Sequence, residues 1–131
     1  MNGIHHVALA VADVSQAVSF YTETIRLEAI GPDDPTNDIE TAAYFWLRCG
    51  SDQWVNLARK PNATPTESGL HDDPHVALRA SESAVDALAD RLADAGIEVR
   101  ESETSVYFRD PDGNFVEVTH WHGPDEAEQS L

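Results

Sequence analysis

The tetrapeptide His6-Val7-Ala8-Leu9 returns later in the chain as His75-Val76-Ala77-Leu78. One short match arises by chance, but the same order of elements around both copies does not. Each copy opens an alternating stretch, a helical pattern follows, and each half closes on a hairpin-like pair of strands. Setting Trp54-Val55-Asn56-Leu57 on Phe115-Val116-Glu117-Val118 also sets Trp46-Leu47-Arg48 on Tyr107-Phe108-Arg109. The turn Cys49-Gly50-Ser51-Asp52 then falls on Asp110-Pro111-Asp112-Gly113. The chain therefore reads as two copies of one βαβββ module, an α+β fold whose sheets curve around a cavity.

The local signals give the module bounds. Strands are expected at 4–11, 27–31, 42–48, 53–58, 75–80, 97–101, 105–109 and 114–120. Asp13-Val14-Ser15-Gln16 resembles a capping box, and Val14, Ala17, Val18, Tyr21 and Ile25 follow it at helical spacing. The second helix starts at Ser81 or Ser83, carries Val85, Leu88, Ala89 and Leu92 as its stripe, and stops at Gly96. Asp110-Pro111-Asp112-Gly113 is a strong turn signal. Residues 1–131 form one domain: module one over about 4–59, a linker over about 60–74, module two over about 75–121 and an acidic tail at 122–131. Residues 32–40 read as an acidic loop.

Composition narrows the functions. Acidic residues number 24 against 8 basic ones, a formal net charge of −16 with a single lysine. A field of that sign repels phosphate backbones, so nucleic acid is not an expected partner. No apolar run approaches the ~18 residues of a membrane span, and MNGIHHVALAV lacks the basic start of a signal peptide. With one cysteine, Cys49, the chain has no internal disulfide. A cytoplasmic location is expected. The acids are spread over the whole chain, and their mutual repulsion fades at molar salt, where the Debye length is ~3 Å. That pattern suits a high-salt cytoplasm.

Alternation places the chemistry. Val7, Leu9 and Val11 point one way and belong on the helix; His6, Ala8 and Ala10 point the other. The repeat puts His75 and Ala77 on the equivalent face, and Glu117 lies opposite in sense to Val116 and Val118. Two imidazoles and one carboxylate, with positions left open, suit a divalent metal used in catalysis. The expected ligands are His6, His75 and Glu117. His5 faces the helix side by the same alternation. Tyr44, Trp46, Trp54, Tyr107, Phe115 and Trp121 sit on hairpin strands. Trp46, Tyr107 and Trp121 are expected to line the pocket for an aromatic or partly apolar small molecule. His120 and His122 flank Trp121.

Ile4-His5-His6-Val7-Ala8-Leu9-Ala10-Val11-Ala12-Asp13, Ser19-Phe20-Tyr21, His75-Val76-Ala77-Leu78 and Tyr107 to Glu117 together resemble the vicinal oxygen chelate superfamily. That group holds glyoxalases, extradiol dioxygenases, fosfomycin-resistance thiol transferases, methylmalonyl-CoA epimerases and bleomycin-binding proteins. The resemblance runs from residue 4 to about 121. It implies a glyoxalase/dioxygenase-like fold, one divalent ion per site (Fe, Mn, Zn or Ni) on His6, His75 and Glu117, and a small-molecule substrate chelated through neighbouring oxygens. It implies catalytic roles for Glu117 and for Tyr107, where extradiol dioxygenases and fosfomycin transferases carry an active-site tyrosine. Asn56 stands where glyoxalases place a fourth, carboxylate ligand; an amide oxygen binds a metal weakly and is no base, which counts against a glyoxalase. Trp46, Asn56, Arg109 and Trp121 are the expected substrate contacts. Arg79, Arg100 and Arg109 are the basic candidates. Arg26 replaces the glycine that often ends the first helix. Small members of the group are commonly dimers, and a homodimer is expected here. The function that the resemblance implies is a glyoxalase/dioxygenase-like metalloenzyme that stabilises an oxyanion intermediate; the alternatives are a bleomycin-type binding protein that works without a metal and a fosfomycin-type thiol transferase.

Overall fold

The structure, a computed structural model, describes residues 1–62, 70 and 74–124. Among the described residues the strands and α-helices run in the order β1 (His6–Val11), α1 (Val14–Ser19), β2 (Glu28–Pro32), β3 (Tyr44–Gly50), β4 (Gln53–Arg59), β5 (Val76–Arg79), α2 (Glu82–Asp94), β6 (Arg100–Glu101), β7 (Ser105–Arg109) and β8 (Phe115–Thr119). They make two four-stranded sheets, β1-β4-β3-β2 and β5-β8-β7-β6, so the expected βαβββ order occurs twice with identical strand order. β1 runs parallel to β4 with Ala8 beside Asn56, and β5 runs parallel to β8 with Ala77 beside Glu117. The repeat therefore holds residue by residue. Among the described residues no helix is long and apolar enough to cross a membrane.

The chain divides into two compact units, Met1–Gly69 with Arg109–Asn114, and Leu70–Phe108 with Phe115–Leu131. In the first, the Asp13 side chain caps α1 by accepting from the Gln16 N–H at 3.0 Å. Val14, Ala17, Tyr21 and Ile25 are buried, as are Leu9, Val11, Leu47, Val55 and Leu57 on the strands. Each large side chain buried this way contributes roughly 1.5–3 kcal/mol. The helix does not simply stop. Phe20–Thr24 widens into a π-helical turn, with Ile25 N–H donating to the Phe20 carbonyl. Arg26 then takes the left-handed conformation, φ 73, at the position where the sequence lacks the usual glycine.

The first unit also contains the Asp110-Pro111-Asp112-Gly113 turn, and the reason is a polar network. Tyr21 OH donates to Asp110 Oδ2 at 2.7 Å in a buried setting. Ala12 N–H donates to Asp112 Oδ1 at 2.8 Å, and Asn114 Nδ2 to the Ala10 carbonyl at 2.9 Å. Asp110 Oδ1 also accepts from the Asp112 and Asn114 amides. Burial, with Asp110 adjoining, holds the Tyr21 phenol well above its ordinary value. Burial likewise raises the Asp112 carboxyl, with Asp110 and Asp13 adding to the shift.

In the second unit Val85, Leu88, Ala89 and Leu92 of α2 are buried, as are Val106, Phe108, Val116 and Val118. Ser81 caps the helix through the Ala84 N–H. Gly96, φ 75, ends it, with Gly96 N–H on the Ala93 carbonyl and Ile97 N–H on the Leu92 carbonyl. That paired closure is a Schellman motif. It also shortens β6: a strand is expected from 97, but Ile97 is occupied in closing the helix, and only Arg100–Glu101 pair with β7.

Two expectations fall partly outside the described residues: the linker over 63–69 and 71–73, and the tail from 125. One expectation is corrected. His5 does not face the helix side. It is exposed before β1 begins, and its ring rests on Trp54 with centroids 4.7 Å apart.

Candidate metal and substrate site

The second unit gathers its polar side chains on the sheet face away from α2. Glu117 sits on β8 between the buried Val116 and Val118, which point to the helix, so alternation turns its carboxylate to the other face. His75 lies just before β5, and its Nε2 is 2.9 Å from Glu117 Oε1. Their side chains are 32% and 13% exposed, so this pair opens to one side and is sheltered on the other. Glu117 Oε2 accepts from Ser105 Oγ at 2.6 Å. Ser105 Oγ stands 2.7 Å from Thr119 Oγ1, which donates to the Thr104 carbonyl at 3.2 Å. The carboxylate is thus fixed from behind by a buried hydroxyl pair and presents Oε1 forward with an imidazole nitrogen.

Aromatic rings wall this pair. His75 contacts Phe115 (centroids 5.3 Å) and Tyr107 (5.9 Å), and Tyr107 contacts Phe115 (6.0 Å). Arg100 pairs with Tyr107 across β6 and β7 and lays its guanidinium 4.0 Å from the ring centroid. Its Nε donates to the Leu70 carbonyl.

The first unit carries its own set on the corresponding face. His6, Ala8 and Ala10 are exposed while Leu9 and Val11 are buried, as alternation requires. The His6 ring meets Trp46 edge-on at 5.1 Å, and His6 Nδ1 is 3.0 Å from His5 Nδ1. Trp46 Nε1 donates to Asp33 Oδ1 at 3.1 Å. Asn56, on β4 beside Ala8 and across from Trp46, is 4% exposed, and its Nδ2 has no hydrogen-bond partner among the described residues.

Of the expected ligand triad, His75 and Glu117 meet; His6 stands in the first unit among His5 and Trp46. Among the described residues no three His, Cys, Asp or Glu side chains cluster as a ligand set. Tyr107 lies against His75. Trp46 and Asn56 share a face with His6. Arg109 donates to the Gly113 carbonyl at 2.8 Å within its hairpin. Trp121 is 44% exposed, with its N–H on Thr119 Oγ1. His120 is half-buried and bonds the Thr104 carbonyl through its backbone, and His122 is exposed. Ser105 and Thr119 escaped the sequence reading, although each lies two residues from a selected neighbour, Tyr107 and Glu117, and so shares its face.

A nitrogen and a carboxylate oxygen held together, with the second oxygen anchored, form a donor pair that fits a borderline divalent cation. Over 126 residues the chain is 35% identical to the metallothiol transferase FosB of Shouchella clausii (strain KSM-K16), covering 90% of this chain and 80% of that protein. It is 31% identical over 125 residues to the glutathione transferase FosA of Serratia marcescens, with the same coverage. In three dimensions it is similar to a mutant fosfomycin resistance protein FosX from Listeria monocytogenes, complexed with Mn(II) and (1S,2S)-dihydroxypropylphosphonic acid. That likeness has a TM-score of 0.72 at 16% identity, over 100% of this chain and 99% of the other. The sequence model of the Glyoxalase/Bleomycin resistance protein/Dioxygenase superfamily matches residues 3–118, and the chain belongs to that superfamily.

Proposed function

We propose that this chain is a divalent-metal-dependent enzyme of the fosfomycin-resistance kind, joining a thiol to a small epoxide that carries a phosphonate. The observation that carries the reading is the His75–Glu117 donor pair anchored by Ser105. The two thiol transferases at 35% and 31% identity favour this reaction over a glyoxalase or dioxygenase. Asn56 at the place of a fourth carboxylate ligand points the same way.

His75 and Glu117 hold the ion, and His6 completes the set. A divalent ion held by these residues would supply Lewis acidity toward a substrate oxygen. The thiolate sulfur attacks an epoxide carbon, the C–S bond forms, and the ring C–O bond breaks. The released oxygen keeps the electron pair and takes a proton, while the thiol's proton leaves to solvent or a base. Arg100, whose guanidinium lies over the Tyr107 ring, is the cation for the phosphonate, and the Tyr107 hydroxyl shares that end. Trp46, Trp121 and Phe115 supply apolar wall.

Residues 1–131 act as one domain of two modules. The chain works as a symmetric homodimer in which His6 of one chain joins His75 and Glu117 of the other. The protein loaded with Mn(II), given fosfomycin and glutathione or another low-molecular-weight thiol, is expected to form the thioether adduct. His75→Ala and Glu117→Ala lose the bound ion and the activity together. Retention of wild-type metal content by both variants would remove the site assignment. Mixing a His6→Ala chain with a Glu117→Ala chain restores one intact site per mixed dimer if sites are shared. No recovery at all means that each chain builds its own site.

A further inference from the structure

We propose that Asn56 is the hydrogen-bond donor that selects the substrate: its amide N–H takes an oxygen of the bound molecule that carries lone pairs and no proton, as in a phosphonate or carboxylate. The proposal rests on the reading above, in which His6 brings the open face of the first unit to the ion.

Asn56 is 4% exposed and its Nδ2 has no hydrogen-bond partner among the described residues. A buried donor without a partner is a standing cost to the fold, and each one found in a native structure calls for an explanation. A leucine at the same place on β4, like Leu57 next to it, would carry no such cost. The face it occupies is the one bearing His6, because Ala8 is its register partner on β1 and His6 and Ala8 point the same way. Trp46 is its partner on the other side, on β3. β4 lies between β1 and β3; Trp46 stands level with Asn56, His6 stands one same-face position away beside Trp54, and the His6 and Trp46 rings meet at 5.1 Å. Ala8, the register partner of Asn56 on β1, is small and exposed. In the second unit the equivalent position is Glu117, whose two oxygens are both engaged. One repeat position thus serves the ion in one module and the substrate in the other.

The test compares wild type, Asn56→Leu and Asn56→Asp, each loaded with Mn(II). Three readouts are taken: melting temperature without substrate, metal content, and KM and kcat for fosfomycin with glutathione. Asn56→Leu is expected to keep its metal and to melt at or above the wild-type temperature, because the unmet donor is gone. Its KM rises roughly tenfold with kcat little changed. Asn56→Asp, which has no N–H to give, loses at least as much. A substantially lower melting temperature in Asn56→Leu would overturn the proposal, since the amide would then be paired within the fold. So would an unchanged KM in Asn56→Leu, or wild-type KM in Asn56→Asp, which would make the group an acceptor. If wild type itself ignores fosfomycin, the thiol-transfer reading falls and the melting comparison alone decides Asn56.

Discussion

Glu117 has two oxygens, and the fold gives each a separate task. Oε1 faces His75 Nε2 at 2.9 Å; Oε2 is held by Ser105 Oγ at 2.6 Å, with Thr119 behind it. Partners of this outer kind orient a ligand, and their loss commonly costs 10–100-fold in metal affinity. Ser105→Ala is therefore expected to weaken Mn(II) binding by roughly tenfold or more while leaving the fold intact. Competition with a chelator of known affinity measures this. An unchanged affinity would reduce Ser105 to packing. Asp112 shows the opposite situation. Oδ1 accepts from the Ala12 amide, but Oδ2 is buried with no partner among the described residues, and burial raises the carboxyl above its ordinary value. A carboxyl whose pKa is raised by folding stabilises the fold most when protonated, and that contribution is lost as pH rises through the folded value. At neutral pH the ionised group is thus a liability. Asp112→Asn keeps the acceptor for Ala12 and replaces the orphan oxygen with an amide. It should raise the melting temperature by a few degrees at pH 7, the gain shrinking to nothing in acid below the ordinary carboxylate range. A gain that persists undiminished in acid would mean that charge is not the cause.

At the scale of elements, the two helices end differently, and the sequence accounts for both. α2 has Gly96 in the left-handed position and closes with paired backbone bonds. The first helix has Arg26 in that conformation, after a π-helical turn over Phe20–Thr24. A side chain with a Cβ at positive φ costs roughly 1–2 kcal/mol, and Arg26 Nε recovers part through the Glu23 carbonyl. Arg26→Gly removes the strain but adds freedom to the unfolded chain worth up to ~1 kcal/mol, so a net gain of about 0.5 kcal/mol is expected. Arg26→Val, β-branched at positive φ, is expected to cost more than about 1 kcal/mol. Urea denaturation of the two variants measures both signs. A stabilised valine variant would contradict the backbone conformation.

For the molecule as a whole, the decisive quantity is the net charge of −16, on a chain with one lysine. Acids lie along both halves, and repulsion among them opposes compaction at low ionic strength. Screening removes most of it as the Debye length falls from about 10 Å at 0.1 M salt to about 3 Å at 1 M. Thermal stability is expected to rise steeply across that range, more than for a neutral domain of similar size. A melting temperature flat from low to molar sodium chloride would refute a salt-dependent fold.

Much of this architecture is legible in the residues themselves. The repeat of His6-Val7-Ala8-Leu9, the period-two alternation of each strand and the caps at Asp13, Ser81 and Gly96 are local signals. A strand's two faces follow from backbone geometry alone, so the common face of His6 and Ala8 could be read before any partner was known. The eight strands and two helices lie where that pattern puts them, apart from β6, shortened because Ile97 closes α2. Hydrogen-bond partnership is not local. Tyr21 finds Asp110 and Ala12 finds Asp112 across most of the chain's length, which makes the turn 109–114 part of the first unit. Ser105 could be placed on the face of Tyr107 by counting, but only the packed sheet shows that its hydroxyl holds Glu117. Asn56 could be aligned with Glu117 from the repeat, but its unpaired amide exists only once burial has removed water from it. Periodicity decides which way a side chain points; what it meets there is decided by chain segments that approach only on folding.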